Sequence, residues 1–169
     1  MDTLKPGMKT ELEWEVTEAL TTKRGDYRVF STPSMTYFVE MTAHKLVEPH
    51  LKAGQGQVGL QVNIRHMAPT PIGKKVRCEA ELTAVDRRKL TFKCKVFDDV
   101  EQVGEAEHDR YVIDLDKYMA KLKAKLKARM EKKTPRVATK PSRASKRRRV
   151  DDKRKQAAKK TGRSRNSWD

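Results

Sequence analysis

The sequence predicts an α+β domain followed by a separate basic extension, and three observations carry that prediction. A strand-like stretch leads into one long segment with apolar residues at helical spacing, and a succession of alternating strands follows it. Positive charge collects at the C-terminal end. Of the 169 residues, positions 1–120 hold 18 Lys/Arg and 19 Asp/Glu, a net of −1; positions 121–169 hold 21 and 4, a net of +17. The isoelectric point of about 10.0 therefore belongs to the extension. The first 120 residues suffice for a single small core that gains from burying a face against a partner.

The elements follow in order. Glu11–Thr17 alternates polar and apolar residues and reads as a half-buried strand. Residues 18–28 are polar and read as a loop. Thr32-Pro33 opens a helix, with Thr32 suited to cap it and Pro33 to its first turn. That helix is expected to run to about Leu51, ahead of Ala53-Gly54-Gln55-Gly56, with Met35, Phe38, Val39, Thr42 and Leu46 as its stripe. Met41, Ala43 and Val47 add apolar surface, so the helix should be wrapped by its sheet. Val58–His66 then places Val58, Leu60, Val62, Ile64 and His66 on one face. Lys75–Val85 turns Val76, Cys78, Ala80, Leu82 and Ala84 inward, and Lys89–Phe97 does the same with Leu90, Phe92, Cys94 and Val96. Asp86-Arg87-Arg88 joins these two as a hairpin. A last strand over about Glu101–Asp114 alternates poorly, which predicts a bulge. Leu115, Tyr118, Met119, Leu122, Leu126 and Met130 predict an amphipathic helix over 115–133. Residues 134–169 are Lys/Arg/Ala/Ser-rich, and the composition predicts disorder.

Cys78 and Cys94 form no C-x-x-C pair and have no His cluster nearby, so buried, reduced thiols are expected and no metal or cofactor. No apolar run approaches the ~20 residues of a membrane span, and the N-terminus lacks a signal-peptide core. A cytoplasmic protein is expected, or a nuclear one in a eukaryote.

Thr32, Glu40 and His66 carry the chemical signal. Thr32 stands where a β-like run gives way to the helix, Glu40 lies eight residues on, and His66 closes an apolar strand face. Taken singly, each has a structural explanation: a helix cap, a solvated helix acid, a core histidine. Together, a hydroxyl, a carboxylate and an imidazole form a set able to hydrolyse an acyl group.

The stretches around these residues resemble the fluoroacetyl-CoA thioesterase-like branch of the hot-dog-fold acyl-CoA thioesterases. They are Val29-Phe30-Ser31-Thr32 with Val39-Glu40, Val58-Gly59, Ile64-Arg65-His66-Met67-Ala68-Pro69-Thr70-Pro71-Ile72-Gly73, Arg88-Lys89-Leu90-Thr91-Phe92 and His108-Asp109-Arg110-Tyr111-Val112-Ile113. The similarity covers about residues 10–125. It implies a sheet curled around a central helix and a homodimer with active sites between subunits. It also implies catalytic roles for Thr32, Glu40 and His66, and places the Gly59 backbone N–H against the thioester carbonyl. Arg110 is expected to join substrate binding by bracing the site loop or the dimer. The segment Thr21–Tyr27 is polar where the fluoroacetyl-specific enzyme carries an aromatic lid, so the resemblance points to an ordinary short- or medium-chain acyl-CoA. The basic clusters Lys146–Arg149 and Lys153–Lys155 resemble a nuclear-localisation signal or a non-specific nucleic-acid arm. A non-catalytic acyl-CoA sensor or nucleic-acid-associated protein, keeping the domain as a dimer and ligand module, is the alternative.

Overall fold

Alternation, turn chemistry and capped helices arrange the described residues into seven strands and three α-helices. They are β1 (Lys9–Glu15), β2 (Thr21–Arg24), β3 (Tyr27–Phe30), α1 (Thr32–Val47), β4 (Gln55–His66), β5 (Lys75–Asp86), β6 (Lys89–Phe97), β7 (Gln102–Asp114), α2 (Leu115–Met130) and α3 (Arg143–Arg165). The structure, a computed structural model, describes residues 3–130 and 140–165. Contacts divide the chain into two units, Met1–Ala128 and Arg129–Asp169.

In the first unit, five antiparallel strands run in the order β1-β5-β6-β7-β4, and β2-β3 form a separate hairpin. One face of the five-stranded sheet holds α1. Met35, Phe38, Val39 and Val47 of the helix are fully buried against Val76, Cys78, Leu82, Leu90, Phe92 and Val96 of the strands. Each large apolar side chain taken out of water there stabilises the fold by about 2 kcal/mol. Thr42 is buried with them, its hydroxyl donating to the Phe38 carbonyl at 2.8 Å. The opposite face is a charge ladder with Lys9–Glu81, Lys75–Glu13 and Arg65–Glu105 pairs at 3.2, 2.7 and 2.7 Å. Cys78 and Cys94 are free and buried.

Bulges account for the departures from simple alternation. The β4/β7 register skips Leu60 between Gly59 and Gln61. The residues ahead of it therefore reverse: Gln57 and Gly59 face the helix while Leu60 is 57 % exposed, contrary to the single apolar face expected for β4. In β5 the register skips Thr83, which turns Ala84 outward and brings Val85 against the core. In β7 it skips Val103, so Val103 and Gly104 are both buried.

Three further expectations are corrected. The polar segment 18–28 contains most of a hairpin, with Gly25 at φ +57° in its two-residue turn. α1 ends at Val47, and Glu48-Pro49-His50 forms a single 3₁₀ turn. Residues 143–165, expected to be disordered, are helical. Every residue from 143 to 162 is exposed, so burial does not hold this helix. Propensity does: Ala, Arg, Lys and Gln are strong helix formers, and Ser142 caps the segment by accepting from the Ser145 N–H at 3.1 Å. Positions 134–139 and 166–169 of the expected tail lie outside the described residues, as do 131–133 of the helix expected over 115–133.

Candidate active site

Local helix chemistry exposes the first candidate. Ser31, not Thr32, is the N-cap of α1: its backbone is extended, and its side chain accepts from the Ser34 N–H at 3.3 Å. Thr32 is thereby the first helical residue, with its hydroxyl released from capping. Its Oγ1 lies 3.0 Å from Nδ1 of His66, at the end of β4. His66 is half-buried, and its Nε2 is buried without a hydrogen-bond partner among the described residues. Burial lowers its pKa below the ordinary 6.5, opposed in part by the Ala68 backbone. The imidazole is therefore neutral, and a base, at neutral pH.

Glu40 sits eight residues further along α1, about 12 Å along the helix axis. Its Oε1 lies 3.4 Å from Nη1 of Arg110, whose side chain is only 3 % exposed against 39 % for Glu40. The bulge in β4 brings Gly59 to the same carboxylate: a Cβ there would stand 2.9 Å from Glu40 Oε1 and 3.5 Å from His108 Cε1. Glycine at 59 is what lets strand and carboxylate approach.

Arg110 donates to four neighbouring residues. Its Nε donates to Gln57 Oε1 at 2.7 Å; Nη1 donates to the Glu40 carbonyl at 3.2 Å and to His108 Nε2 at 3.1 Å; Nη2 donates to His44 Nδ1 at 3.4 Å. These contacts assign the tautomers of both histidines. His108 Nδ1 must donate to the Gln61 carbonyl, 2.8 Å away, leaving Nε2 to accept from Arg110. His44 accepts at Nδ1, and its Nε2 lies 3.3 Å from Glu48. Burial lowers the His108 pKa, and the adjacent Arg110 charge lowers it further against the Gln61 carbonyl. Burial likewise lowers that of Arg110, with Glu40 opposing. Arg110 is expected to brace the site loop or the dimer, and its hydrogen bonds run to Gln57, Glu40, His108 and His44 beside the helix.

The structure brings Thr32 to His66, and Glu40 to Gly59 and Arg110. Among the described residues of one chain it draws no hydrogen bond or ion pair between the two groups. The sequence alone leaves His44 and His108 as structural or exposed and gives Gln57 no role; the structure places all three around Arg110. His108 and Arg110 stand two apart on one face of β7, which was a legible signal. The inward turn of Gln57 depends on the Leu60 bulge and was not.

A long helix held on one face of an antiparallel sheet, with these side chains at its start and flank, defines the hot-dog class of thioesterases. Residues 13–116 match the family model described as fluoroacetyl-CoA-specific thioesterase. The fluoroacetyl-CoA thioesterase of Streptantibioticus cattleyicolor is 35 % identical over 100 residues, spanning 59 % of this chain and 72 % of the relative. A solved structure of the fluoroacetyl-CoA thioesterase FlK superposes with a TM-score of 0.69 at 28 % identity, covering 73 % of this chain and 98 % of the other. A Thermus thermophilus member of the thioesterase superfamily shares the fold, with a TM-score of 0.71 at 23 % identity over 78 % and 98 % of the two chains. This chain belongs to the fluoroacetyl-CoA-specific thioesterase family and is a thioester hydrolase.

Proposed function

We propose that the protein hydrolyses a short- or medium-chain acyl-CoA, using Thr32 and His66 of one subunit with Glu40 of a second. The 3.0 Å contact between Thr32 Oγ1 and His66 Nδ1 carries the reading, because it is the distance at which a base can take a hydroxyl proton. His66 removes that proton as Thr32 attacks the thioester carbonyl, then returns it to the departing thiolate. Water, activated by His66 or Glu40, cleaves the resulting threonyl ester. The Gly59 N–H is the proposed donor to the developing oxyanion, a contribution typically worth about 3 kcal/mol.

Two observations support a homodimer. The outer edge of β4 is unpaired in the single chain, although the strand is 12 residues long and carries the exposed Leu60. Such an edge is normally covered. Thr32 and Glu40 also lie too far apart on α1 for one chain to close the triad. The substrate class rests on the β2–β3 hairpin, which presents Lys23, Arg24 and Asp26 with Tyr27 76 % exposed. That surface offers no apolar lid selective for a fluorinated acetyl group.

The test is thiol release from a panel of acyl-CoA esters of increasing chain length, for the wild type, Thr32→Ala and Glu40→Ala. Turnover on short or medium chains, reduced about 10²-fold or more in both variants, is expected. Saturable ester binding without hydrolysis at any chain length would replace the enzyme by the sensor.

A further inference from the structure

We propose that α3 is a duplex-DNA-binding arm that lies in the major groove and is held by phosphate contacts rather than base reading. The hydrolytic site leaves this helix unexplained, and the inference does not rest on that site.

α3 spans 23 residues from Arg143 to Arg165, which carry 12 Lys/Arg and two acids, Asp151 and Asp152. At 1.5 Å per residue it is about 34 Å long, close to one turn of B-form DNA. Successive residues turn by 100°, so the charges do not share one face. Arg147 and Arg154 lie along one row, Arg148 and Lys155 along a second, Arg149 and Lys153 along a third, with the rows roughly 120° apart. All six are exposed. A groove offers phosphates from two strands on opposite sides of an inserted helix, and basic rows on several sides match that arrangement. A planar anionic membrane meets only one side of a helix and rewards an apolar stripe for insertion. Val150 is the sole large apolar residue among Arg143–Gly162, so a membrane fits poorly.

The helix also carries net repulsion, which Asp151 and Asp152, four residues on from Arg147 and Arg148, relieve only in part. Arg143 and Arg147, and Arg149 and Lys153, stand four residues apart with like charge, which weakens a helix in water. Phosphates that neutralise these pairs would strengthen it, so binding should raise helicity. Asn, Gln or aromatic side chains at spacings suited to base edges are missing from Arg143–Gly162, where Gln156 stands alone. Sequence-independent affinity follows.

The experiment uses the full chain and a six-site variant in which Arg147, Arg148, Arg149, Lys153, Arg154 and Lys155 are changed to Gln. Gln keeps helix propensity, and none of the six belongs to the hydrolytic site. Binding to a fluorescent duplex of mixed sequence is followed by anisotropy from about 50 to 200 mM salt, with far-UV circular dichroism alongside. The wild type should lose roughly 10³-fold in affinity across that range, gain helicity with duplex, and be indifferent to duplex sequence. The variant should bind more weakly with about half the salt slope, and release thiol at the wild-type rate. Equal binding by variant and wild type would overturn the proposal. So would a single strand bound as tightly as the duplex. Vesicles of anionic phospholipid bound as tightly as the duplex, with the same loss in the variant, would overturn it in favour of a membrane.

Discussion

The Ser31 cap decides what Thr32 can do. Had Thr32 capped α1, its hydroxyl would have been spent on a backbone N–H; instead Ser31 takes that duty and Thr32 meets His66. His66 provides a pH test. Burial holds its pKa below 6.5, so the base form persists through neutrality and is lost only on the acid side. kcat/KM should therefore be level above pH 6.5 and fall below it, in His66-dependent fashion; a break above 6.5 would contradict the assignment. His108 makes a parallel prediction for stability. Its folded pKa is depressed, so the unfolded chain binds more protons as pH falls from 6.5 toward that lowered value. Resistance to urea should decline over that window, and a His108→Gln variant should lose this part of the decline. Arg110→Ala would strand Gln57 Oε1 and His108 Nε2 and open a cavity, at a cost of about 3 kcal/mol in urea unfolding.

At the scale of elements, the bulges separate what could be read in advance from what could not. α1, β6 and β5 as far as Leu82 follow from apolar spacing, and the inward residues of β6 are those that alternation predicts; β7 alternates poorly, which announces its bulge and not its inward face. β4 does not follow. Its period-2 pattern assigns Leu60 to the core, yet an inserted residue reverses the strand ahead of it, turning Gly59 to Glu40 and Gln57 to Arg110. Cross-strand register decides where a bulge falls, and one strand's pattern does not contain it. The hairpin β2–β3 was hidden for a different reason: a polar, half-exposed strand has no apolar alternation to reveal it. Gly59→Ala tests the role of the β4 bulge. The new Cβ, 2.9 Å from Glu40 Oε1, would displace a flexible side-chain end rather than backbone. Thermal stability should change by less than about 1 kcal/mol while thiol release falls at least tenfold. A variant of normal activity would show that the apposition is incidental.

For the whole molecule, the two sheet surfaces assign different tasks. The outer face alternates Lys, Arg and Glu across neighbouring strands, and exposed pairs of this kind contribute little energy but favour solvent over stacking. The proposed dimer would associate through the β4 edge, where Gly59 and His66 reside. Sequence resemblance implies a site shared between two subunits, and the separation of about 12 Å between Thr32 and Glu40 along α1 supports that proposal.

Subunit complementation tests the shared site most directly. Glu40→Ala and His66→Ala chains, each inactive alone, are mixed, dissociated and reassociated, and mixed dimers are confirmed by differential tags. In a mixed dimer with two-fold symmetry, one site carries both substitutions and the other carries neither. Random mixing should therefore restore about a quarter of wild-type thiol release. Mixed dimers that form in full yield yet remain inactive would contradict the pairing of Glu40 with Thr32 and His66 across the interface.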